Sequence, residues 1–201
     1  MHVDGMYLRS RDREIDYGRS SDRADCGTEG VIDIGLRSEW QSETGSECVV
    51  CFHGSVNDWI DANGNKTDAV KLADFDGKFK VVYCFQSWCP GCHSVGLPNL
   101  KKMVNSLEGN DKIAFMAIQT VFEGHDSNTY DKMVETQKKY ELKIPFGHDA
   151  GDDGKSHSNV MRNFKTGGTP WFILIDQHNN VVFSDFHLNV DAAIDVLKSV
   201  K

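Results

Sequence analysis

Two cysteines three residues apart, Cys89 and Cys92, stand between segments of opposite periodicity, and no other feature constrains this chain as tightly. Upstream, residues 79–85 form an apolar run that reads as a buried β-strand. Downstream, apolar residues recur at helical spacing to about residue 107. The stretch Phe85-Gln86-Ser87-Trp88-Cys89-Pro90-Gly91-Cys92-His93 therefore marks a strand-to-helix junction. The unpaired N–H groups of a helix's first turn, with the positive end of its dipole, stabilise negative sulfur. Cys89, at the helix start, is expected to be the more exposed cysteine, to have a lowered pKa, and so to be the attacking nucleophile. Cys92, about one turn in, can reach a mixed disulfide and resolve it. Pro90 suits the first turn because the N–H it lacks would be unpaired there anyway. The other chemistry open to such a pair is half of a zinc site, which requires a second pair of ligands.

The chain of 201 residues suits one ordinary domain plus an extension. A net charge of −8 and a pI near 5.4 argue against a nucleic-acid or anionic-membrane surface, both of which need basic patches. The longest apolar stretches, near residues 81–85 and 171–175, are strand-sized; a membrane span needs roughly 20 residues. Met1-His2-Val3-Asp4-Gly5 shows no hydrophobic signal region, so a cytoplasmic location is expected. Six cysteines in a chain of this length are too sparse for a disulfide scaffold and point to redox chemistry or metal.

Residues 1–54 read as an N-terminal extension and residues 55–201 as one domain. The basic residues of the extension are all arginines (Arg9, Arg11, Arg13, Arg19, Arg23, Arg37), whereas Arg162 is the only arginine beyond it. The first 25 residues are polar and aperiodic, and residues 31–36 suit a strand. The domain opens with a strand over 56–61 and a hairpin turn at Asn63-Gly64. A short 72–75 segment leads to the 79–85 strand, and Pro98, inside the helix that follows the cysteines, predicts a kink. Next come a strand over 112–119, a loop over 120–126, and a helix capped by Ser127 or Asn128. A short strand at 144–146, a Gly/Asp loop, a helix over 158–164, strands at 171–176 and 181–186 and a final helix complete the chain. The alternation predicts an α/β sandwich with a mixed sheet. Parallel β-α-β units would place loop 120–126 beside the cysteines, at the carboxyl ends of their strands.

Gly167-Gly168-Thr169-Pro170 directly precedes an apolar strand, and X–Pro is the one bond for which cis geometry is inexpensive. With the upstream Cys-x-x-Cys, residues from about 56 to 201 resemble the thioredoxin superfamily, and are most similar to its TlpA/ResA-like and redoxin (AhpC/TSA-type) branch. The resemblance implies a thioredoxin-like three-layer α/β/α sandwich with a mixed central sheet. It makes Cys89 the nucleophile, Cys92 the resolving cysteine, Trp88 the flanking aromatic and Pro170 a cis-proline facing the disulfide. Thr169 would offer backbone groups to an extended substrate.

The chain also departs from that pattern. The buried Asp of thioredoxins corresponds to Tyr83, and the Glu that follows the second cysteine of ResA-like proteins corresponds to Val95. His93, Glu123 and His125 are the candidates to carry the proton instead, against the plainer reading of solvated surface or loop side chains. The Pro and the Thr or Ser that precede a peroxidatic cysteine correspond to Val82 and Gln86, which argues against peroxidase activity. Cys84, in mid-strand, reads as a buried, inert thiol.

The expected function is thiol–disulfide exchange on disulfide-containing proteins or small thiols, with electrons from a donor protein or thiol. No cofactor beyond the redox-active disulfide is expected, and neither nucleic acid nor membrane as partner. The rival is a metal-binding or redox-sensing module with zinc at Cys26, Cys48, Cys51 and His53. A second disulfide and free thiols are equally open to those cysteines.

Overall fold

The structure, a computed structural model, describes residue 56 and residues 58–200. The extension over residues 1–54, with Cys26, Cys48, Cys51 and His53 and the strand expected at 31–36, lies outside the described residues.

Among the described residues, seven strands form one sheet: β1 (Asp58–Ile60), β2 (Lys66–Thr67), β3 (Phe79–Phe85), β4 (Ile113–Thr120), β5 (Phe146–Asp149), β6 (Trp171–Ile175) and β7 (Val181–Asp185). Their order is β2-β1-β5-β4-β3-β6-β7. β3 runs parallel to β4, and β4 to β5, while the remaining pairs are antiparallel, so the sheet is mixed. The described residues also form α1 (Leu97–Ser106), α2 (Tyr130–Tyr140), α3 (Asn159–Phe164) and α4 (Val190–Lys198), which cover the sheet.

All seven residues of β3 are buried, as a strand covered on both faces requires. Phe79, Val81, Tyr83 and Phe85 pack with Leu97, Leu100 and Met103 of α1, Met133 of α2 and Leu197 of α4. Val82 and Cys84, on the alternate face, pack with Leu72, Met116, Ile118 and Val160 of α3. The steps β3-α1-β4 and β4-α2-β5 move along the sheet in one direction. Right-handed crossovers therefore set α1 and α2 on the same face. Lys80 interrupts the apolar run without unfolding it: its Nζ reaches Asn179 Oδ1 at 2.6 Å, in the turn between β6 and β7.

Three details differ from expectation, and a fourth is filled in. The kink expected at Pro98 is a wide helical turn over Cys92–Gly96, in which Leu97 N–H bonds to Cys92 O, five residues back. Proline cannot donate to the helix and its ring crowds the carbonyl four residues earlier, so the turn loosens before it. The cap of α2 is Thr129, whose hydroxyl accepts from Lys132 N–H, because Asn128 is turned inward. The strand expected at 144–146 begins only at Phe146, since Pro145 has no N–H for the ladder. The segment at Leu72–Phe75 forms a single tight helical turn.

One buried carboxylate organises the loop after β5. Asp149 accepts from Ser158 Oγ at 2.5 Å, Val160 N at 2.8 Å, Asn159 N at 3.1 Å and Gly151 N at 3.2 Å. Its removal strands several buried donors at the start of α3. Asp149→Ala is expected to lower stability by about 2–4 kcal/mol in urea denaturation.

Candidate functional site

β3 and β4 are parallel, so Phe85 and Thr120 end at one edge of the sheet. β6 is antiparallel to β3, with Trp171 opposite Cys84, so β6 begins at that same edge. Three segments distant in sequence therefore meet: 86–93, 121–129 and 167–170.

Helical backbone begins at Pro90, which puts Cys89 at the boundary of the helix. Cys92 N–H donates to Cys89 Sγ at 3.3 Å, the kind of backbone donor that stabilises a thiolate. Cys89 Sγ also lies 3.6 Å from the carbonyl oxygen of Thr169. Cys89 is 9% exposed and Cys92 fully buried, so the first cysteine is the more accessible one. Both are free thiols. Burial, and then the adjacent Cys89 side chain, push the Cys92 thiol upward.

The Thr169–Pro170 peptide is cis. Pro170 lies against the turn of the helix: a Cβ added to Gly91 would stand 3.4 Å from its Cδ. A Cβ on Gly96 would overlap the Tyr83 hydroxyl and stand 2.9 Å from Pro170 Cβ. Gly96 is thus the point where β3, the helix and the proline loop close on one another. Beside Pro170 opens an apolar groove of about 320 Å³, lined in part by Val95, Phe172, Phe186 and Leu188.

Trp88 stands 47% exposed beside the cysteines. Its Nε1 donates to Gln86 Oε1 at 3.0 Å, and Gln86 Oε1 also accepts from Asn128 Nδ2 at 2.9 Å. Asn128 Oδ1 accepts from Ser87 N at 2.8 Å, and Asn128 Nδ2 reaches Glu123 O and Gly124 O, each at 3.1 Å. Ser87 Oγ bonds to Gln119 Oε1, and Gln119 Nε2 bonds to Thr129 O at 3.1 Å. This buried amide network ties the approach to Cys89 to the loop after β4.

The expected proton carriers are placed elsewhere. His93 Nε2 lies 2.6 Å from Ser87 O and Nδ1 lies 2.9 Å from Tyr140 Oη, so both ring nitrogens are engaged away from the sulfurs. Glu123 is exposed and meets the network only through its carbonyl. His125 Nε2 lies 3.3 Å from Ser156 O. Among the described residues, no hydrogen bond joins any of these side chains to Cys89 or Cys92. Cys84 lies on the opposite face of β3 from the Cys92 cluster, and burial drives its thiol strongly upward.

Ser87 and Gln119 carry no motif that signals this role in the sequence, and Gln86 and Asn128 read there only as a missing peroxidatic hydroxyl and a helix cap. The one available signal is position: Gln86 and Gln119 are polar residues at the carboxyl ends of two apolar strands.

The family model for Redoxin matches residues 58–193. The chain belongs to the Redoxin family. A thioredoxin-like superfamily protein of known crystal structure is 27% identical, with a TM-score of 0.60 over 73% of this chain and 96% of its own. A thiol-disulfide isomerase from Corynebacterium glutamicum is 23% identical, with a TM-score of 0.64 over 76% of this chain and 96% of its own. The thioredoxin domain of a thiol-disulfide oxidoreductase from Bacteroides vulgatus is 24% identical, with a TM-score of 0.54 over 74% and 97%. No curated protein matches. The fold of this redoxin is accordingly thioredoxin-like, a mixed sheet between helical layers.

In this redoxin, Asn128→Ala is expected to free Trp88 and the 123–124 loop, lowering stability by about 1–3 kcal/mol, since buried donors and acceptors lose their partner. Indole fluorescence should red-shift; comparison with a Trp88→Phe background separates Trp88 from the other tryptophans. Gly96→Ala should destabilise by about 1–3 kcal/mol through overpacking, measured in urea.

Proposed function

We propose that this redoxin is a thiol–disulfide oxidoreductase acting through the Cys89–Cys92 couple. The observation that carries the reading is the arrangement at the helix start. Cys89 Sγ receives the Cys92 N–H at 3.3 Å and faces the Thr169 carbonyl, with Cys92 buried beneath it.

The proposed reaction has two steps. The Cys89 thiolate attacks one sulfur of a substrate disulfide, forming a Cys89–substrate bond and expelling the other substrate sulfur as a thiolate. The Cys92 thiolate then attacks Cys89 Sγ, forming the Cys89–Cys92 disulfide and expelling the second substrate sulfur. Two electrons pass from the protein dithiol to the substrate, and a donor protein or thiol returns them. Pro170 and the Thr169 backbone would align an extended segment of substrate across Cys89, with the apolar groove beside Pro170 accepting a neighbouring side chain. The substrate is accordingly the disulfide of a protein or of a small thiol, and the proposed reaction uses no redox group beyond the cysteine pair.

A peroxidase reading has less support. Val82 points into the core on the face opposite the cysteines, and the Gln86 amide oxygen is occupied by Trp88 and Asn128. Neither provides a hydroxyl beside Cys89.

Cys89→Ser is expected to abolish reduction of insulin disulfides, and Cys92→Ser to accumulate mixed disulfides visible on non-reducing gels. Full insulin-reducing activity in Cys89→Ser would overturn the proposal.

A further inference from the structure

Tyr83 lies on β3 and is fully buried in the same core cluster as Cys92. Its ring is held between Phe172, at a centroid distance of 4.8 Å, and Phe85, at 6.0 Å. Its hydroxyl sits 3.5 Å from the carbonyl oxygen of Cys92. That carbonyl already accepts the Leu97 N–H. A contact of 3.5 Å is at the outer limit for an O–H donor, whose usual separation is about 2.7–2.8 Å. A buried phenol normally finds a proper partner. Here the donor is underused, and the chain has made room for it: only the missing Cβ of Gly96 leaves space for the oxygen. A hydroxyl proton can rotate about its C–O bond toward whichever nearby acceptor is strongest.

We propose that the Tyr83 hydroxyl is a hydrogen-bond donor to the Cys92 thiolate during the resolving step, beside the Gln86 backbone and the Thr169 hydroxyl. The inference rests on the reading of Cys89 and Cys92 as an exchange couple. In the dithiol form Cys92 carries no charge, and the hydroxyl rests loosely on a carbonyl. When Cys92 ionises, its sulfur, whose side chain already interacts with the phenol, becomes the strongest acceptor beside the hydroxyl, and a charge-assisted bond forms.

Tyr83 acts as a donor and not as a base. Burial, and then the neighbouring Cys92 side chain, hold the phenol's ionisation well above its ordinary range. The other titratable groups around Cys92 are Cys89 in its own turn, Cys84 from β3 and Tyr140 from α2. His93, next in sequence, spends both ring nitrogens on Ser87 and Tyr140, and the Thr169–Pro170 segment adds a hydroxyl but no titratable group. The Cys92 proton therefore goes to water or hydroxide. The thiolate attacks Cys89 Sγ, the Cys89–Cys92 bond forms as the Cys89–substrate bond breaks, and the departing thiolate takes up a proton. The resolving step should accelerate with pH as the thiolate fraction grows, and Tyr83 raises that fraction further than the Gln86 backbone and the Thr169 hydroxyl do without it.

The test uses the full chain with Cys26, Cys48 and Cys51 changed to serine, mixed with 5,5′-dithiobis(2-nitrobenzoate) in stopped flow. The first nitrothiobenzoate released reports attack by Cys89, and the second reports attack by Cys92. Tyr83→Phe keeps the ring and removes only the hydroxyl. Below the thiol's pKa it is expected to slow the second release about threefold: losing one hydrogen bond to a charged group lowers the thiolate fraction about tenfold, and the more basic sulfur regains part of that as nucleophilicity. Its pH profile should move upward by about one unit, with the first release changed by less than about twofold. An unchanged second phase overturns the proposal, and so does equal slowing of both phases, which would mark a structural role. A parent protein that gives no second release would overturn the exchange reading itself, and this inference with it.

Discussion

The structure depends first on the complete burial of β3. Strand ladders on both edges and side chains packed on both faces leave that strand no freedom to slide, because a one-residue slip would exchange its two faces. Phe85 is therefore held at one fixed point on the sheet edge. The chain must leave the sheet there and turn into a helix, so the first helical N–H groups are presented at that edge. Cys89 is where it is because β3 ends where it does. The same parallel and antiparallel pairings bring loop 121–129 and the Thr169–Pro170 segment to that edge.

Two sets of contacts then turn an edge into a site. On one side, Tyr83, Gly96 and Pro170 close on each other so tightly that an added Cβ overlaps its neighbours. On the other, amides of Gln86, Gln119 and Asn128 bind Trp88, Ser87 and the 123–124 carbonyls. The first set is an apolar, shape-determined contact; the second is polar and depends on each donor finding its acceptor in a buried place. Cys89 lies between them, within reach of solvent, while Cys92 lies under both. The contrast in exposure between Cys89 and Cys92 is thus produced by packing around the turn. The loosened turn before Pro98 contributes, since it carries Cys92 and Gly96 past Tyr83.

Much of this was legible in advance. The apolar run of β3, the Asn63-Gly64 turn, the hairpin of β6 and β7 and the amphipathic α4 are local patterns, and local patterns survive translation into structure. Element ends were less legible, because they were decided by ladder donors: Pro145 has none to give, so β5 starts at Phe146. Asn128 reads as a helix cap from its position, yet a buried amide network recruits it and Thr129 caps instead. His93 shows the same effect at the site. Beside a Cys-x-x-Cys it reads as a proton carrier, but Ser87 and Tyr140, one of them 47 residues away, take both its nitrogens.

The amino-acid sequence alone determined that a Cys-x-x-Cys would open a helix after a buried strand, and that Thr169-Pro170 would precede another. These are matters of periodicity and of what proline and cysteine can do locally. Only the tertiary structure decided which groups surround the sulfurs, because that depends on strand order. The pairing of β3 with both β4 and β6 sets Thr169 O against Cys89. The face of β3 that meets α1 sets Tyr83, in place of a carboxylate, beneath Cys92. Neither the ordering of strands nor the choice of face at such a distance is written in any short stretch of the chain.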